Sequence, residues 1–446
     1  MKNVDLSKIK KVHFVGIGGI GVSAIARMML LEGKKVSGSD SAESLITKEL
    51  RKLGAKIFLG HNADNVADKV DLIVYTPAVD FENPELKKGK KLNIPTLSYP
   101  EMLGLISKNK YTIAVSGAHG KTTTTAMIAK ILIDAKYNPT IIVGSLLKDQ
   151  NPPTPKASAG RGSNFVAGKG DYFVVEACEY KKSFLNINPK IIVITNIDND
   201  HLDYYGNLKN VKKAFGEFAS KLDKDGFLVC DLSNDNLKEV VKKTKAKIID
   251  YTKIKADFNL KIPGEHNVKN AQAAMEVAEL LDVGEKEALA SLNKFSGPWR
   301  RFEYKGKTKK GVLVYDDYGH HPTEIKATLR GAREFFGRKK IYCVFQPHLY
   351  SRTKNHLIEF GASFEDADVI IVATIYAARE KDDKSINSQM LVGEIKKNGK
   401  KEAYCIESFD KIEKYLIANS DKDSIVITMG AGDIYNLSNS LANSKS

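Results

Sequence analysis

The 446-residue chain lacks the features that mark secreted, membrane-spanning or disordered proteins. Its four cysteines, Cys178, Cys230, Cys343 and Cys405, stand too far apart for a C-x-x-C metal or redox pair, and a chain of this length needs no disulfide framework. A reducing, cytoplasmic setting is expected. No apolar run reaches the roughly 18 residues of a membrane helix, and the N-terminus has no apolar signal-like core, so neither membrane insertion nor secretion is expected. Arginine is scarce, supplying 10 of the 69 basic residues. The formal net charge of +15 is therefore almost all lysine, spread through surface-like segments such as 238–247. No basic stripe is interleaved with stacking aromatics, which excludes a nucleic-acid groove, while nucleotide-sized anions fit the charge balance.

What is present is an ordinary globular composition, 42% hydrophobic and 28% charged, over a length that predicts about three domains. Short β-branched runs alternate with helical patterns from end to end, the pattern of α/β units whose sheets are mostly parallel. Strands are expected at 12–17, 36–40 and 71–76, with a helix at 20–32. A second unit has strands at 111–116, 172–176 and 191–196 and helices at 267–281 and 286–294. Gly297-Pro298 breaks the pattern. A third unit has strands at 312–316, 341–345, 369–374 and 425–429. The expected domains are 1–106, 107–298 and 299–446. The Pro-, Gly- and Ser-rich stretch 151–170 reads as a long loop, residues 438–446 as a frayed tail, and no solenoid-type repeat is present.

Gly16-Ile-Gly18-Gly19-Ile-Gly21 lies between a strand and a helix, and Asp40 ends the next strand. Such glycines let backbone approach a diphosphate at a helix N-terminus, with an acidic residue near a sugar hydroxyl. The turn alone fits an NAD enzyme as well as a binder of another nucleotide, and tight packing is the plain structural alternative. Ser116-Gly117-Ala118-His119-Gly120-Lys121-Thr122-Thr123 again joins a strand to a helix. It is a shortened phosphate loop, with Val115 where the general motif has its first glycine; Lys121 suits β/γ-phosphate charge and the Thr122 hydroxyl a Mg²⁺ ion. A dehydrogenase has no need of it. Glu176 and the run Asp198-Asn-Asp200-His201 come directly after strands, where open α/β sheets place their ligands. His201 by itself reads equally as a loop histidine, because Mg²⁺ prefers oxygen. Asn267 and Asn270 share a helix face and suit an adenine edge, or Asn267 caps the helix. Asp316-Asp317-Tyr318-Gly-His320-His321 lacks the further ligand pair that a zinc site needs. Arg352 could fork onto a carboxylate, and Arg300, Arg301 and Arg352 near turns hint at anion binding.

These blocks, with His13-Phe-Val-Gly, Glu176-Ala-Cys-Glu179, Asn196-Ile-Asp-Asn-Asp-His201, His266-Asn-Val-Lys-Asn270, Arg300-Arg-Phe302 and Gln346-Pro-His-Leu-Tyr-Ser-Arg-Thr353, occur in an order that resembles the Mur ligase family. The resemblance implies a Rossmann-like N-terminal domain, a central P-loop-type ATPase domain with a mostly parallel sheet, and a C-terminal Rossmann-like α/β domain. It implies ATP-dependent joining of L-alanine to the lactyl carboxylate of UDP-N-acetylmuramate through an acyl phosphate, in cell-wall precursor synthesis, with Mg²⁺ as cofactor. By the same likeness Gly16, Gly18, Gly19, Gly21 and Asp40 would hold the UDP diphosphate. Gly117, Ala118, His119, Gly120, Lys121, Thr122 and Thr123 would bind ATP, with Asn267 and Asn270 at adenine, Arg301 at the γ-phosphate and Asp317 on the ribose side. Thr122, Glu176 and His201 would bind Mg²⁺, and Tyr318, His320 and Arg352 would line the alanine pocket. Lys121, Glu176, His201, Arg301 and His320 form the implied catalytic set. Two departures stand out: Cys178 where many members carry Asp, and Leu349 where many carry Arg, so alanine's carboxylate has one Arg fewer. No lysine is placed as a carbamylated neighbour of the metals. A monomer or weak homodimer is expected. The alternatives are a related ligase that recycles muramyl peptides or adds another amino acid, an NAD-dependent oxidoreductase, and a nucleotide sensor.

Overall fold

The computed structural model describes residues 4–147, 163–378, 380–400 and 402–443. Three sheets organise the chain, and they fall into two compact units: Met1–Asn259 with Lys269–Lys294, and Leu260–Val268 with Phe295–Ser446.

The first unit carries two sheets. Strands β1 (Lys11–Val15), β2 (Lys35–Asp40), β3 (Lys56–Leu59), β4 (Leu72–Tyr75) and β5 (Thr96–Ser98) form an all-parallel sheet in the order β3-β2-β1-β4-β5. The order reverses at β1, so a crevice opens beyond the carboxyl ends of β1 and β4. The second sheet is built from β6 (Tyr111–Ser116), β7 (Thr140–Leu147), β8 (Ser163–Val166), β9 (Tyr172–Glu176), β10 (Ile191–Ile194), β11 (Phe227–Cys230) and β12 (Lys247–Asp250), in the order β12-β11-β10-β6-β9-β7-β8. Its middle strands are apolar and buried almost throughout, as a parallel sheet covered on both faces requires. The direction of winding switches at β6, which has β9 on one side and β10 on the other, so the loops after all three strands meet at one sheet edge.

Of the stretch 151–170 expected as a loop, 151–162 lie outside the described residues, and the described part opens with strand β8, which pairs antiparallel with β7. An antiparallel edge strand needs only a few residues and no apolar run, so composition hides it. Asn164 of β8 donates its side-chain amide to Ser23 Oγ at 2.9 Å and to Ile20 O, both on helix Ile20–Leu31 that succeeds the first glycine turn. The two sheets share one continuous core, from Val12 and Ile25 to Phe184 and Phe218, the last two rings stacked 4.4 Å apart.

Beneath the first sheet's carboxyl edge lies a buried carboxylate, Glu85. It accepts from Ser39 Oγ and Asn65 Nδ2, both at 2.6 Å, with the imidazoles of His13 and His61 at 3.5 and 3.6 Å.

The second unit has one sheet of six strands: β13 (Glu303–Lys307), β14 (Leu313–Asp317), β15 (Lys340–Phe345), β16 (Val369–Val372), β17 (Ala403–Cys405) and β18 (Ser424–Met429), in the order β13-β14-β18-β15-β16-β17. Within it the edge strand β13 runs antiparallel and the other pairings are parallel. Residues expected as a frayed tail continue helix Tyr435–Asn443, with Ser438, Leu437 and Leu441 buried; 444–446 lie outside the described residues. Among the described residues no helix is long and apolar enough to cross a membrane.

Candidate active site

The first glycine turn is shaped by backbone bonds. The N–H groups of Gly16 and Ile17 both donate to Ser39 O at 2.9 Å, and Gly18 N–H donates to Asp40 Oδ2 at 2.8 Å. Gly16 has φ +77°, and a β-carbon there would stand 2.4 Å from Thr76 Cγ2, so only glycine fits. Gly19 precedes helix Ile20–Leu31 with no side-chain cap, leaving that N-terminus open to an anion. Gly21 leaves room for the ring of Tyr99, whose hydroxyl would be 2.9 Å from any added β-carbon. Burial first, then Glu176 and Cys178, raise the Tyr99 hydroxyl pKa. Sequence reading missed Tyr99, because a tyrosine before a proline carries no motif.

The second turn comes after β6. Gly117 (φ +135°) and Gly120 (φ +84°) take backbone conformations that exclude side chains, and a β-carbon on Gly120 would stand 2.5 Å from Asn270 Oδ1. Asn270 also accepts from Thr124 Oγ1 at 3.1 Å, so its helix braces the phosphate turn. His119 is tied to the strand-end loop after β10: its N–H donates to Asn196 Oδ1 at 2.9 Å, and its Nε2 lies 3.3 Å from Asp198 Oδ2. Ala118 N–H donates to Asn196 O at 3.2 Å. Thr123 is buried within the helix Lys121–Asp134 that the turn opens.

Around this turn Thr122 and Lys121 each engage a carboxylate. Thr122 Oγ1 donates to both oxygens of Glu176 at 3.0 and 2.9 Å, and Gly144 N–H donates to Glu176 Oε2 at 2.7 Å. Lys121 Nζ donates to Glu179 Oε1 at 2.9 Å, to Ala118 O at 3.0 Å and to Gly117 O. Burial pulls the Lys121 pKa down; Glu179, then Cys178 and Glu176, more than offset it, so the ammonium is held charged above its ordinary value. His201, at φ +56°, has Nε2 3.7 Å from Glu179 Oε1, and the ligand atoms of Glu179, Asp200 and His201 lie within 4.8 Å of one another. Glu179 and Asp200 were not singled out from sequence, although both stand inside the motifs that were.

The second unit holds the remaining expected residues. Arg301 Nη1 lies 3.5 Å from Glu324 Oε1, and its guanidinium sits 5.3 Å from the Tyr318 ring centroid. His320 Nδ1 is 3.0 Å from Tyr318 O, and its ring lies 6.0 Å from that of His348. His348 Nδ1 is 3.2 Å from Arg352 Nη1, and its ring stacks on Tyr376. Tyr318, His320 and Arg352 are thus gathered through His348, and Tyr376 is the member no sequence signal marked. Leu349, at φ +69° and ψ +134°, is a bulky residue in a strained conformation that aims the loop after β15. Asp317 is buried, accepting from Phe302 N–H and Gly319 N–H, both at 2.8 Å, and burial raises its pKa. Asn267 is the third residue of helix Glu265–Leu280 rather than its cap, and its amide donates to Pro263 O at 2.6 Å.

Arg300 departs from the expectation of an anion binder. Its Nε pairs with Asp316 Oδ2 and its terminal nitrogens donate to Gly430 O and Gly432 O, all within the fold. Burial raises Asp316 to about 6 despite that arginine.

Three family models match the chain in succession: "Mur ligase family, catalytic domain" over 11–111, "Mur ligase middle domain" over 115–258 and "Mur ligase, glutamate ligase domain" over 300–432. The chain belongs to the Mur ligase family. It is 43% identical, over 97% of both sequences, to a protein of Caldanaerobacter subterraneus subsp. tengcongensis named UDP-N-acetylmuramate--L-alanine ligase. It is also 43% identical to the protein of that name from Clostridium tetani, over 96% of this chain and 97% of the other. Among solved structures it is similar to the UDP-N-acetylmuramate-alanine ligase of Thermotoga maritima, at TM-score 0.79 and 30% identity, covering 96% of this chain and 97% of that one. A murein peptide ligase from Psychrobacter arcticus, at TM-score 0.70 and 22% identity, shares the fold. The Mur ligase is an enzyme of three α/β domains.

Proposed function

We propose that this Mur ligase joins L-alanine to the lactyl carboxylate of UDP-N-acetylmuramate at the expense of ATP, in the cytoplasm, as a monomer or weak homodimer, with domain joints near residues 106 and 298. The observation that carries this reading is the pairing of Lys121 and Thr122 with carboxylates at one sheet edge, in the compact unit that also holds the Gly16–Gly21 turn. Full-length likeness to relatives named for this reaction supports the choice of substrates.

The chemistry explains why two phosphate turns share a chain. A carboxylate is a poor acyl donor, because its leaving group would be oxide; transfer of the γ-phosphoryl makes an acyl phosphate, and attack by the alanine amine then expels phosphate. Gly16, Gly18, Gly19 and Gly21 hold the diphosphate of the UDP-sugar, with Asp40 fixing the turn through Gly18 and facing the sugar side. The turn 117–123 cradles the triphosphate, and Lys121 offsets charge as two anions approach. Thr122 and Glu176 offer hard oxygen donors already in contact, a set that suits Mg²⁺, with His201 as the third ligand. Held by these residues, the ion would supply positive charge to offset that on the phosphates. Asn267 and Asn270 serve the adenine, Arg301 the γ-phosphate and Asp317 the ribose side, while Tyr318, His320 and Arg352 receive alanine. Most of the rate comes from in-line placement and charge neutralisation.

The test is phosphate release from ATP, Mg²⁺ and UDP-N-acetylmuramate with and without L-alanine. Alanine-dependent release is expected; absent or alanine-independent release counts against the reading.

A further inference from the structure

An ammonium has three N–H donors, and Lys121 spends all three inside the protein: on Gly117 O, Ala118 O and Glu179 Oε1. A phosphate oxygen can therefore reach this lysine only by displacing one of them. Two are neutral carbonyls of the turn; the third is a carboxylate. Glu179 is buried, its Oε2 has no hydrogen-bond partner, and its backbone is pinned by the Tyr205 hydroxyl donating to Glu179 O at 2.5 Å. A desolvated carboxylate on a backbone held in this way resembles in charge the phosphate that would replace it.

We propose that Glu179 is a built-in competitor of the nucleotide, a positioning residue that holds Lys121 in the empty site and retakes it as ADP departs. The proposal rests on the docking of ATP at 117–123. Two effects act in the same direction. With Glu179 present the empty site is stabilised by the ion pair, and in the occupied site its negative charge repels the phosphates, so both lower nucleotide affinity and favour product release. Cys178 bears on the same balance. It is exposed and contributes to the electrostatic surroundings of Lys121, and among the described residues Glu179 is the one carboxylate paired with the lysine.

The experiment measures the Kd of ADP by calorimetry in EDTA, where no metal contributes, on the full chain. Glu179→Gln should bind ADP roughly ten-fold more tightly, a change of about 1.4 kcal/mol, and its KM for ATP in the complete assay should fall while those for UDP-N-acetylmuramate and L-alanine stay put. Glu179→Asp, which keeps the charge, should remain within about three-fold of wild type. Cys178→Asp, adding a second competitor, should weaken ADP binding several-fold, and this arm decides the matter if Glu179→Gln does not fold. Unchanged or weaker ADP binding in Glu179→Gln overturns the proposal, as does Glu179→Asp matching Glu179→Gln, or Cys178→Asp binding ADP as well as wild type does. Lys121→Ala separates the two levels. If it binds ADP like wild type, the docking reading itself falls and the competitor with it; if it loses ADP while Glu179→Gln gains nothing, only the competitor falls.

Discussion

Arg300 Nε stands 2.8 Å from Asp316 Oδ2, and both side chains are all but sealed from solvent. The pair links the start of the third domain to strand β14, and the same guanidinium holds the carbonyls of Gly430 and Gly432 beyond β18. A buried ion pair costs most when it is half removed, because the partner is left charged and unsolvated. Arg300→Met should therefore destabilise the C-terminal unit by roughly 3–5 kcal/mol, read by denaturant unfolding, and Arg300→Met with Asp316→Leu should recover much of that loss. A single variant within about 1 kcal/mol of wild type would mean that water reaches Asp316 after all.

The two phosphate turns should fail independently. Lys121→Ala is expected to lower turnover by roughly a thousand-fold and leave UDP-N-acetylmuramate binding intact. Gly16→Ala, which forces a β-carbon against Thr76, should abolish UDP-sugar binding and spare ADP binding. Calorimetry with each ligand checks both, and loss of both ligands in a folded single variant refutes the division.

Arg352 is the cation of the Tyr318–His320–His348 cluster. Arg352→Ala should raise the KM for L-alanine by about ten-fold or more, as loss of a charge-assisted hydrogen bond does, without altering the KM for ATP. Arg352→Lys should recover little, because a point charge cannot replace a fork. Equal rises in both KM values would place Arg352 outside the amino-acid pocket.

Glu85 sets an acid limit on the first sheet. Burial pushes its pKa up, but the nearby His13 imidazole and hydrogen bonds from Ser39 and Asn65 more than reverse this, so the folded value lies below the ordinary 4.5. A carboxyl lowered on folding adds stability above its unfolded pKa and loses it as pH falls through the folded one. The thermal midpoint of wild type should drop below about pH 4.5. Glu85→Gln should be less stable at pH 7 and flatter below that point; parallel curves would show that Glu85 is not the acid-sensitive group.

Much of the fold and of the candidate site was legible in the sequence because parallel strands buried on both faces read as short apolar runs, and the residues just past the end of such a run lie at the sheet's carboxyl edge. Gly16, Gly117, Glu176 and His201 are found that way. The misreadings have a common cause. Arg300 looked like an anion binder because its partners, Asp316 and the carbonyls at 430 and 432, are brought to it by strand pairing and not by spacing. Strand β8 was hidden by glycine and serine composition, and its reality rests on Asn164 and its pairing with β7. Glu179 stood in a quoted motif, yet only the fold shows it on Lys121.

The last strand among the described residues, β18, lies between β14 and β15. During synthesis those two strands therefore have no common neighbour to hold them together until residues 424–429 have emerged, so this sheet cannot close before its latest-made strand is present. A chain cut short before β18 would leave two half-sheets with exposed apolar edges, a target for chaperones and proteases.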